Sequence, residues 1–553
     1  MQADVDTEVL VAGGGPFGLM LAIELGRRGV PLWLVDPKPG TAFNPQANAT
    51  QARTMEHFRR LGFADEIRAQ GLPGDHPTDI AYFTRYTGHE LARLSLPTAA
   101  EAVARVRALG GSWSAAELPH RVSQKFVEAT LLRHARQPAG NTLRYGWRLL
   151  DFAEDATGVT ARIAPVDGGA ARTVRARWLI GADGARSPVR QALGIPWGGA
   201  TGVRRDFMGG QMFAVYLRAP TFYDAFPHAR AWMMVSFNAQ RRAFMASVDG
   251  RSEFAFHAAV HEGEAADAWG EAQARRVFAE AMGREIPIEV LSCGTWTAGH
   301  SLVAQSFGRG RVWIGGDAAH LFTPTGGLGY NTAVEDAVNL GWKLAQVARG
   351  VSAPALLASY EAERRPLAIR NTGYARQFAD SVGLLRASPA LEDDSEAGRA
   401  ARAGAGAALD AHVRLEFNIP GVTFGGRYDG SPLIVPDGTR PPPDQPSAYE
   451  PSACPGGRPP HAWLEDGRSL YDSFGPEWTL LRLGADAPQG AAFAEAAAAC
   501  GLSLAVVHHA TPSLRALYDA PLVLIRPDQI VAWRGRDDHA ARDILRQASG
   551  AQR

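Results

Sequence analysis

Three short stretches of this chain combine glycine with a carboxylate in a pattern that could hold a ligand carrying phosphates and ribose: Gly13-Gly14-Gly15-Pro16-Phe17-Gly18, Gly181-Ala182-Asp183-Gly184 and Gly316-Asp317. In the first, Gly13 allows a tight turn, Gly15 lets the backbone approach a pyrophosphate, and Gly18 lets a helix pack close. The helix opening at Pro16 and Phe17 offers free N–H groups and a partial positive charge to phosphate. Asp36, eighteen residues past Gly18, stands where a carboxylate accepts hydrogen bonds from ribose hydroxyls. The motif by itself does not say which dinucleotide is bound. A glycine-rich turn in an unrelated α/β domain is the competing reading, and strand, helix and acid in register weigh against it. The other two motifs follow the apolar runs Trp178-Leu179-Ile180 and Val312-Trp313-Ile314. Their carboxylates therefore sit at the C-terminal ends of strands, where open α/β sheets bind ligands.

The elements that must position these corners are spread over much of the chain. Its 553 residues imply two to four domains and an ample core. Lys plus Arg and Asp plus Glu both number 57, so charge gives no case for nucleic acid or an anionic membrane as partner. The cysteines Cys293, Cys454 and Cys500 are too far apart to suggest a disulfide framework or a metal site, which suits a reducing cytoplasm. No apolar run is long enough to span a membrane, and the first apolar run is a strand preceding the glycine turn, with no signal-peptide pattern. His508-His509 lacks metal-like companions, so no metal site is proposed.

In order, the pattern predicts a strand–helix–strand over 8–36, a loop over 37–45 and a helix over 47–61. A hairpin over 79–96 turns at Gly88, a helix covers 126–136, and strands run over 144–163 with a turn at Asp167-Gly168-Gly169. Residues 195–296 are mostly β and rich in aromatics and Met, with one helix near 269–282. The run Pro324-Thr325-Gly326-Gly327-Leu328-Gly329-Tyr330-Asn331 opens a long helix through Trp342-Lys343-Leu344, and another helix holds 360–366. An Ala/Gly/Glu-rich helix and linker follows over 388–411. The Pro-rich tract 436–460 is a spacer, and a smaller α/β unit closes the chain. The expected architecture is α/β: a discontinuous Rossmann-like domain (1–78, 97–194, 297–387) interrupted by a β-rich substrate domain (79–96, 195–296), with a C-terminal domain over 412–553.

Taken together, the three motifs in this order resemble the FAD-dependent aromatic hydroxylases, the single-component flavoprotein monooxygenases that include para-hydroxybenzoate and phenol hydroxylases. The resemblance covers roughly residues 5–385. The layout is similar to members carrying a C-terminal thioredoxin-like domain, and 412–553 looks like that domain without a Cys-x-x-Cys. The resemblance implies bound FAD, NAD(P)H and O2 as co-substrates, a small aromatic substrate and a homodimer. No second nicotinamide-binding domain is visible, so NAD(P)H visits transiently. By the same resemblance Asp36 binds the adenosine ribose, Gln124 faces the ribityl–pyrophosphate region, and Asp183 lies between FAD and the nicotinamide path. Asp317 holds a ribityl hydroxyl, and Pro324, Gly327, Leu328, Gly329, Tyr330 and Asn331 border the isoalloxazine. Backbone amides at that helix start could stabilise the N1/O2 edge of reduced flavin.

The chain departs from the family pattern at three positions. Gln46 stands where relatives commonly have an Arg on the FAD phosphates, which leaves Arg53 as a substitute. Asn48 stands where phenol-type relatives often carry a His that takes the phenolic proton, and Asn is no base near neutrality. Leu328 replaces a frequent Gln. Asn48, Pro324 and Gly327 lie nearest the expected chemistry.

Tyr82, Tyr216, Trp232, Met234, Phe237 and Trp296 could form an aromatic substrate pocket, although half-buried strand residues have the same pattern. His320 reads as packing or capping, and Arg204-Arg205 and Arg241-Arg242 as solvated turns. The expected reaction is hydroxylation of a phenolic ring through a flavin C4a-hydroperoxide. Because Asn48 is not a base, the substrate is expected to be acidic enough to arrive ionised, such as a nitro- or halo-substituted phenol or catechol, with loss of that substituent. The alternatives are polyketide tailoring on the same scaffold (hydroxylation, epoxidation or Baeyer–Villiger oxidation) and a flavin-binding protein without catalysis.

Overall fold

The apolar run at the start of the chain forms the strand Thr7–Ala12, near the middle of an eight-stranded sheet. The computed structural model describes residues 6–201, 205, 207–265 and 268–551. Thr7–Ala12 runs parallel to Leu32–Asp36 on one side and to Arg172–Gly181 on the other, and Val312–Ile314 adds in parallel beyond. Where they are covered on both faces these strands are nearly continuous apolar runs, while Arg172–Gly181 alternates over its first half. Being parallel neighbours, they bring their C-terminal ends to one edge of the sheet, and each of the three glycine-and-acid corners leaves from that edge.

Two helices pack where close approach is needed. The fingerprint helix Pro16–Gly26 crosses the long helix Leu328–Ala348 at Gly341, where an added Cβ would lie 2.6 Å from the Glu24 Cβ. Glu24 is fully buried beside Arg28 and Arg60. Burial alone would raise its carboxyl, but Arg60, Arg28 and Arg27 overcome that and hold it at about 2. A carboxyl whose folded pKa lies below its unfolded one stabilises the fold above pH 4.5, and loses that contribution as pH falls toward 2. About 3 kcal/mol is at stake. The stability gap between wild type and Glu24→Gln, measured by urea unfolding, should therefore narrow by about half as the buffer is taken from about pH 6 to about pH 3. A gap that stays constant would remove this assignment.

A second, seven-stranded sheet runs in the order Glu289–Ala298, Gly210–Arg218, Glu253–Ala259, Ala243–Ser247, Met233–Ser236, Ile80–Phe83 and Glu90–Leu94. The helix Glu271–Met282 covers one face with Phe213, Phe256 and Met245. The other face, with Tyr82, Met212 and Trp232, packs toward the helix Glu396–Phe417. That helix runs six residues past the expected end of the linker at 411, and its last turn reaches the candidate site.

The C-terminal sheet has the order Leu504–His509, Trp478–Leu483, Leu522–Ile525 and Val531–Gly535. Its first two strands are parallel and the others antiparallel, and it is flanked by three helices. This is the thioredoxin-like topology expected from the sequence. It is locked to the helices Leu328–Ala348 and Ala358–Gly383 by buried charge. Glu363 accepts from Lys343 at 2.6 Å and from Arg526 at 2.6 and 2.8 Å, all three fully buried. Arg458 pairs with Glu56 at 2.5 Å, and Arg28 with Glu477 at 2.9 Å.

Several expectations change here. The helix expected over 47–61 begins only at Ala52, because Thr50 pairs with His120 in an antiparallel bridge that holds the preceding residues extended. Arg205 and Arg241 are not solvated turns. Arg205 donates to Asp380 at 2.7 Å, and Arg241 is paired with Glu264 at 2.8 Å and Glu280 at 3.1 Å. Arg242 is buried and donates to the Val382 carbonyl at 2.9 Å. Arg204 lies outside the described residues. These partners stand 23 or more residues away in sequence, so local charge pattern could not reveal them.

Candidate active site

At Gly13, φ is +120°, and an added Cβ would lie 2.0 Å from the Ala182 carbonyl oxygen and 3.0 Å from the Asp183 nitrogen. At Gly18 it would lie 2.0 Å from the Gly13 oxygen. The first two corners therefore touch. At Gly15 an added Cβ meets nothing within 4 Å, so this backbone faces open cleft. Gly15 is the N-cap of Pro16–Gly26 and makes no side-chain cap, leaving the first amides of the helix for a ligand. The third corner joins through Phe17, whose ring lies where a Gly315 Cβ would be, 2.1 Å from its Cζ. The Phe17 side chain is thus a core contact beneath the cleft rather than part of its lining.

Asp36 is buried and accepts from Gly14 N at 2.6 Å and Lys38 N at 2.8 Å, which fixes its carboxylate beside the glycine turn. Tyr145 donates to the Gly14 carbonyl at 2.9 Å and holds the same turn from outside the motif. Asp183 accepts from Val189 N at 2.9 Å through one oxygen, while the other is buried with no hydrogen-bond partner among the described residues. Burial raises its carboxyl above the ordinary range. Asp317 opens onto the cleft and accepts no hydrogen bond among the described residues. Surrounding protein raises its carboxyl, opposed by His320 and Lys38. His320 itself is buried at 2.5 Å from Asp336 and belongs to the core.

The glycine loop before the long helix has φ +66° at Gly326 and +64° at Gly327. Gly327 is the N-cap of Leu328–Ala348 and makes no side-chain cap, so free amides again face outward. A Gly327 Cβ would touch Ala49 at 3.0 Å, which brings this loop against the segment holding Asn48. Asn331 locks the two together: it accepts from Gln51 N at 2.8 Å and donates to Ala49 O at 3.0 Å and Gly327 O at 2.6 Å. It is a positioning residue rather than a direct lining group. Gln51, which donates to Gly326 O at 2.8 Å, was not singled out from the sequence. Tyr330 reaches Thr50 at 3.1 Å. A Cβ added at Gly329 would lie 3.5 Å from the Phe322 ring, and Pro324 is exposed.

Some expected lining residues are used elsewhere. The Leu328 side chain packs with Ala375, Phe378 and Val422, away from the cleft, so its replacement of a polar residue is a core change. Arg53 is no phosphate contact: its guanidinium is buried against Glu56 and the Asp528 and Gln529 carbonyls of the C-terminal domain. Gln46 is exposed on the loop. Gln124 backs the site, with its N–H on Ala47 O at 2.7 Å and its side chain on Glu128 at 2.7 Å.

In the β-rich sheet, Tyr82, Tyr216, Trp232, Phe237 and Trp296 share one face, whereas Met234 packs on the opposite face against Phe83 and Phe213. The side-chain period of two decides this: Met234 is in register with Ala81, and Val235 with Tyr82. Trp296 donates to His257 at 3.2 Å, and burial lowers the His257 imidazole to about 4. Tyr216 is held at the rim by Glu253 and Lys125. Among the described residues the Asn48 side chain keeps only a 3.4 Å contact to Pro45 O, and its Oδ1 is buried with no partner. Two uncapped helix starts, open space at Gly15 and an orphaned Asp183 oxygen along one cleft fit an extended dinucleotide bearing a flavin.

The sequence matches the FAD binding domain family over residues 6–374 and the aromatic-ring hydroxylase C-terminal family over residues 452–551. It is 30% identical to FAD-dependent monooxygenase apdD of Emericella nidulans, over 98% of this chain and 90% of that protein. It is also 30% identical to 2,4-dichlorophenol 6-monooxygenase of Delftia acidovorans, over 98% of this chain and 97% of the relative. Among solved structures, the rebeccamycin biosynthetic enzyme RebC with reduced flavin superimposes with a TM-score of 0.87 at 34% identity, covering 99% of each chain. No described helix is long and apolar enough to cross a membrane. With these matches across its length and a cleft built for FAD, the chain belongs to the FAD-dependent aromatic-ring hydroxylases and is a flavoprotein monooxygenase.

Proposed function

We propose that this enzyme hydroxylates a phenolic aromatic compound with NAD(P)H and O2, as a cytoplasmic homodimer with the domain division given above. One observation carries the reading. The glycine loop Gly326–Gly327 is clamped onto the Asn48–Gln51 segment, which in turn lies between the flavin cleft and the aromatic sheet face. The homodimer rests on the family layout alone.

When bound, FAD supplies the redox chemistry, taking electrons from NAD(P)H and activating O2. The chain's own residues set the stage for it. Asp36 would hold the adenosine ribose, the amides after Gly15 the pyrophosphate, and Asp317 a ribityl hydroxyl. Asp183 would stand on the nicotinamide path, and the amides after Gly327 would favour negative charge on the reduced ring. Tyr82, Trp232 and Phe237 would exclude water and offer flat apolar walls to the substrate. Asn48 would hydrogen-bond the substrate oxygen, accepting from a hydroxyl through Oδ1 or donating to a phenolate through Nδ2, without taking the proton.

That last role makes substrate acidity matter. NAD(P)H consumption coupled to product, measured across phenols of graded acidity, should rise steeply toward nitro- and halo-substituted members. Asn48→His should raise the rate on unactivated phenols by about 100-fold, by restoring a general base. Equal wild-type rates along the series would remove the acidity claim. Mass analysis showing ring expansion instead of a new hydroxyl would replace hydroxylation with Baeyer–Villiger chemistry.

A further inference from the structure

The segment that bridges Thr50 carries a cation that has no hydrogen-bond acceptor among the described residues. Arg121 follows His120, whose backbone bridges Thr50, and precedes Gln124, whose N–H binds Ala47 O. Its side chain turns toward the aromatic sheet face. The guanidinium lies 4.4 Å from the ring centre of Trp232 and 5.6 Å from that of Phe417, at the end of the helix Glu396–Phe417.

Arg121 is only 6% exposed, and it makes no hydrogen bond or ion pair among the described residues. Rings hold a guanidinium by its face and leave its five N–H edges without acceptors. A charge so enclosed is costly unless something pairs with it. Burial pulls the Arg121 guanidinium down to about 10, with Glu416 opposing. Glu416 is not its partner, because one oxygen accepts from Gly326 N at 2.8 Å and the other faces His412 at 3.0 Å. A second unused donor shares the face: Tyr82 is 3% exposed and its hydroxyl makes no hydrogen bond among the described residues.

We propose that Arg121 receives a carboxylate carried by the aromatic substrate, with the Tyr82 hydroxyl as an additional donor. A planar two-pronged cation matches a planar two-oxygen anion. Trp232 and Phe417 fix the fork, and the same aromatic face takes the ring that bears the acid. This names the substrate class of the site proposed above and rests on that reading. The substrate is then an aromatic hydroxy acid rather than a neutral phenol.

The test uses FAD-loaded full-length protein and hydroxy acids built on benzene, naphthalene and anthracene, each paired with its primary amide. Binding is followed by perturbation of flavin absorbance. At least one acid should bind about 30-fold or more tightly than its amide. Arg121→Met should erase that preference, Arg121→Lys should keep part of it, and Tyr82→Phe should weaken the acids alone. Failure of every acid to outbind its amide in wild type would overturn the proposal, whatever the variants do. So would an undiminished preference in a folded, flavin-loaded Arg121→Met protein. Hydroxylation of neutral phenols with no acid preference would leave the hydroxylase reading standing and end this one. Acid-selective binding without NAD(P)H-dependent hydroxylation would do the reverse.

Discussion

Gly15→Val is expected to leave the apo protein folded and to strip it of flavin. Gly15 has φ −80° and ψ −173°, extended backbone that valine readily adopts, and an added Cβ meets no protein atom within 4 Å. The new side chain would instead occupy the approach of the pyrophosphate to the helix start. Overpacking of this kind costs about 2–3 kcal/mol, on the order of 100-fold in affinity. Apo thermal melts should coincide within about 2 °C, as expected where no packing is disturbed, while FAD titration separates the two proteins.

The neighbouring glycines fail differently. Gly13→Ala would drive a methyl group to 2.0 Å from the Ala182 oxygen at a φ of +120°, and Gly18→Ala would drive one to 2.0 Å from the Gly13 oxygen. The first pushes two strand ends apart and the second pushes the helix Pro16–Gly26 off its glycine turn, so both should lower apo stability as well as flavin content. Wild-type FAD affinity in Gly15→Val would mean that the phosphates do not pass this corner.

Glu363→Gln should be among the most damaging single substitutions in the protein. Glu363 sits on the helix Ala358–Gly383, receives Lys343 from the long flavin-side helix and Arg526 from the C-terminal hairpin, and also accepts from Asn339 at 2.7 Å and Ser431 at 2.6 Å. Burial would raise its carboxyl, but Arg526 and Lys343 overcome that and hold it well below the usual range. Burial brings the Lys343 ammonium down to about 8 despite Glu363. Asp528 balances the group, accepting from Arg526 at 2.7 Å. Glutamine would leave two buried cations facing one carboxylate. Removing one partner of such a cluster costs about 3–5 kcal/mol. Denaturant unfolding should show that loss, and limited proteolysis should cut earlier between the flavin-binding part and the C-terminal sheet. An unchanged midpoint would mean that the cluster does not hold the two parts together.

The parts of this architecture that follow from local rules could be read from the chain. Gly13, Gly15 and Gly18 are demanded by a turn, a close approach and a helix contact within a few residues of one another. Asp183 and Asp317 each end a visible apolar strand. The hairpin over 79–96 and the C-terminal hairpin Leu522–Ile525 with Val531–Gly535 follow from alternation and turn residues.

The candidate site was legible only on its flavin side. Gln51, Glu416 and Arg121 carry no motif, and their roles come from partners 275, 90 and over 100 positions away. Arg53 and Leu328 were misplaced for the same reason: each lies beside the cleft in sequence, while its side chain is claimed by the C-terminal domain or by the core. Met234 shows the finer limit, since an aromatic-rich strand advertises a pocket without saying which alternate residues face it.

The sequence by itself determined that a dinucleotide cleft forms at the ends of parallel strands, and the three motifs together pointed to the cofactor class and chemistry through the family they resemble. Steric rules for glycine and the pleat of a buried strand act over a few residues and leave a local signature. Tertiary structure alone decided which cation lacks an acceptor among the described residues, which amides are clamped and which side chains of the second sheet share a face. Those outcomes depend on which distant groups the fold brings together to desolvate and neutralise each other, and no local pattern encodes that.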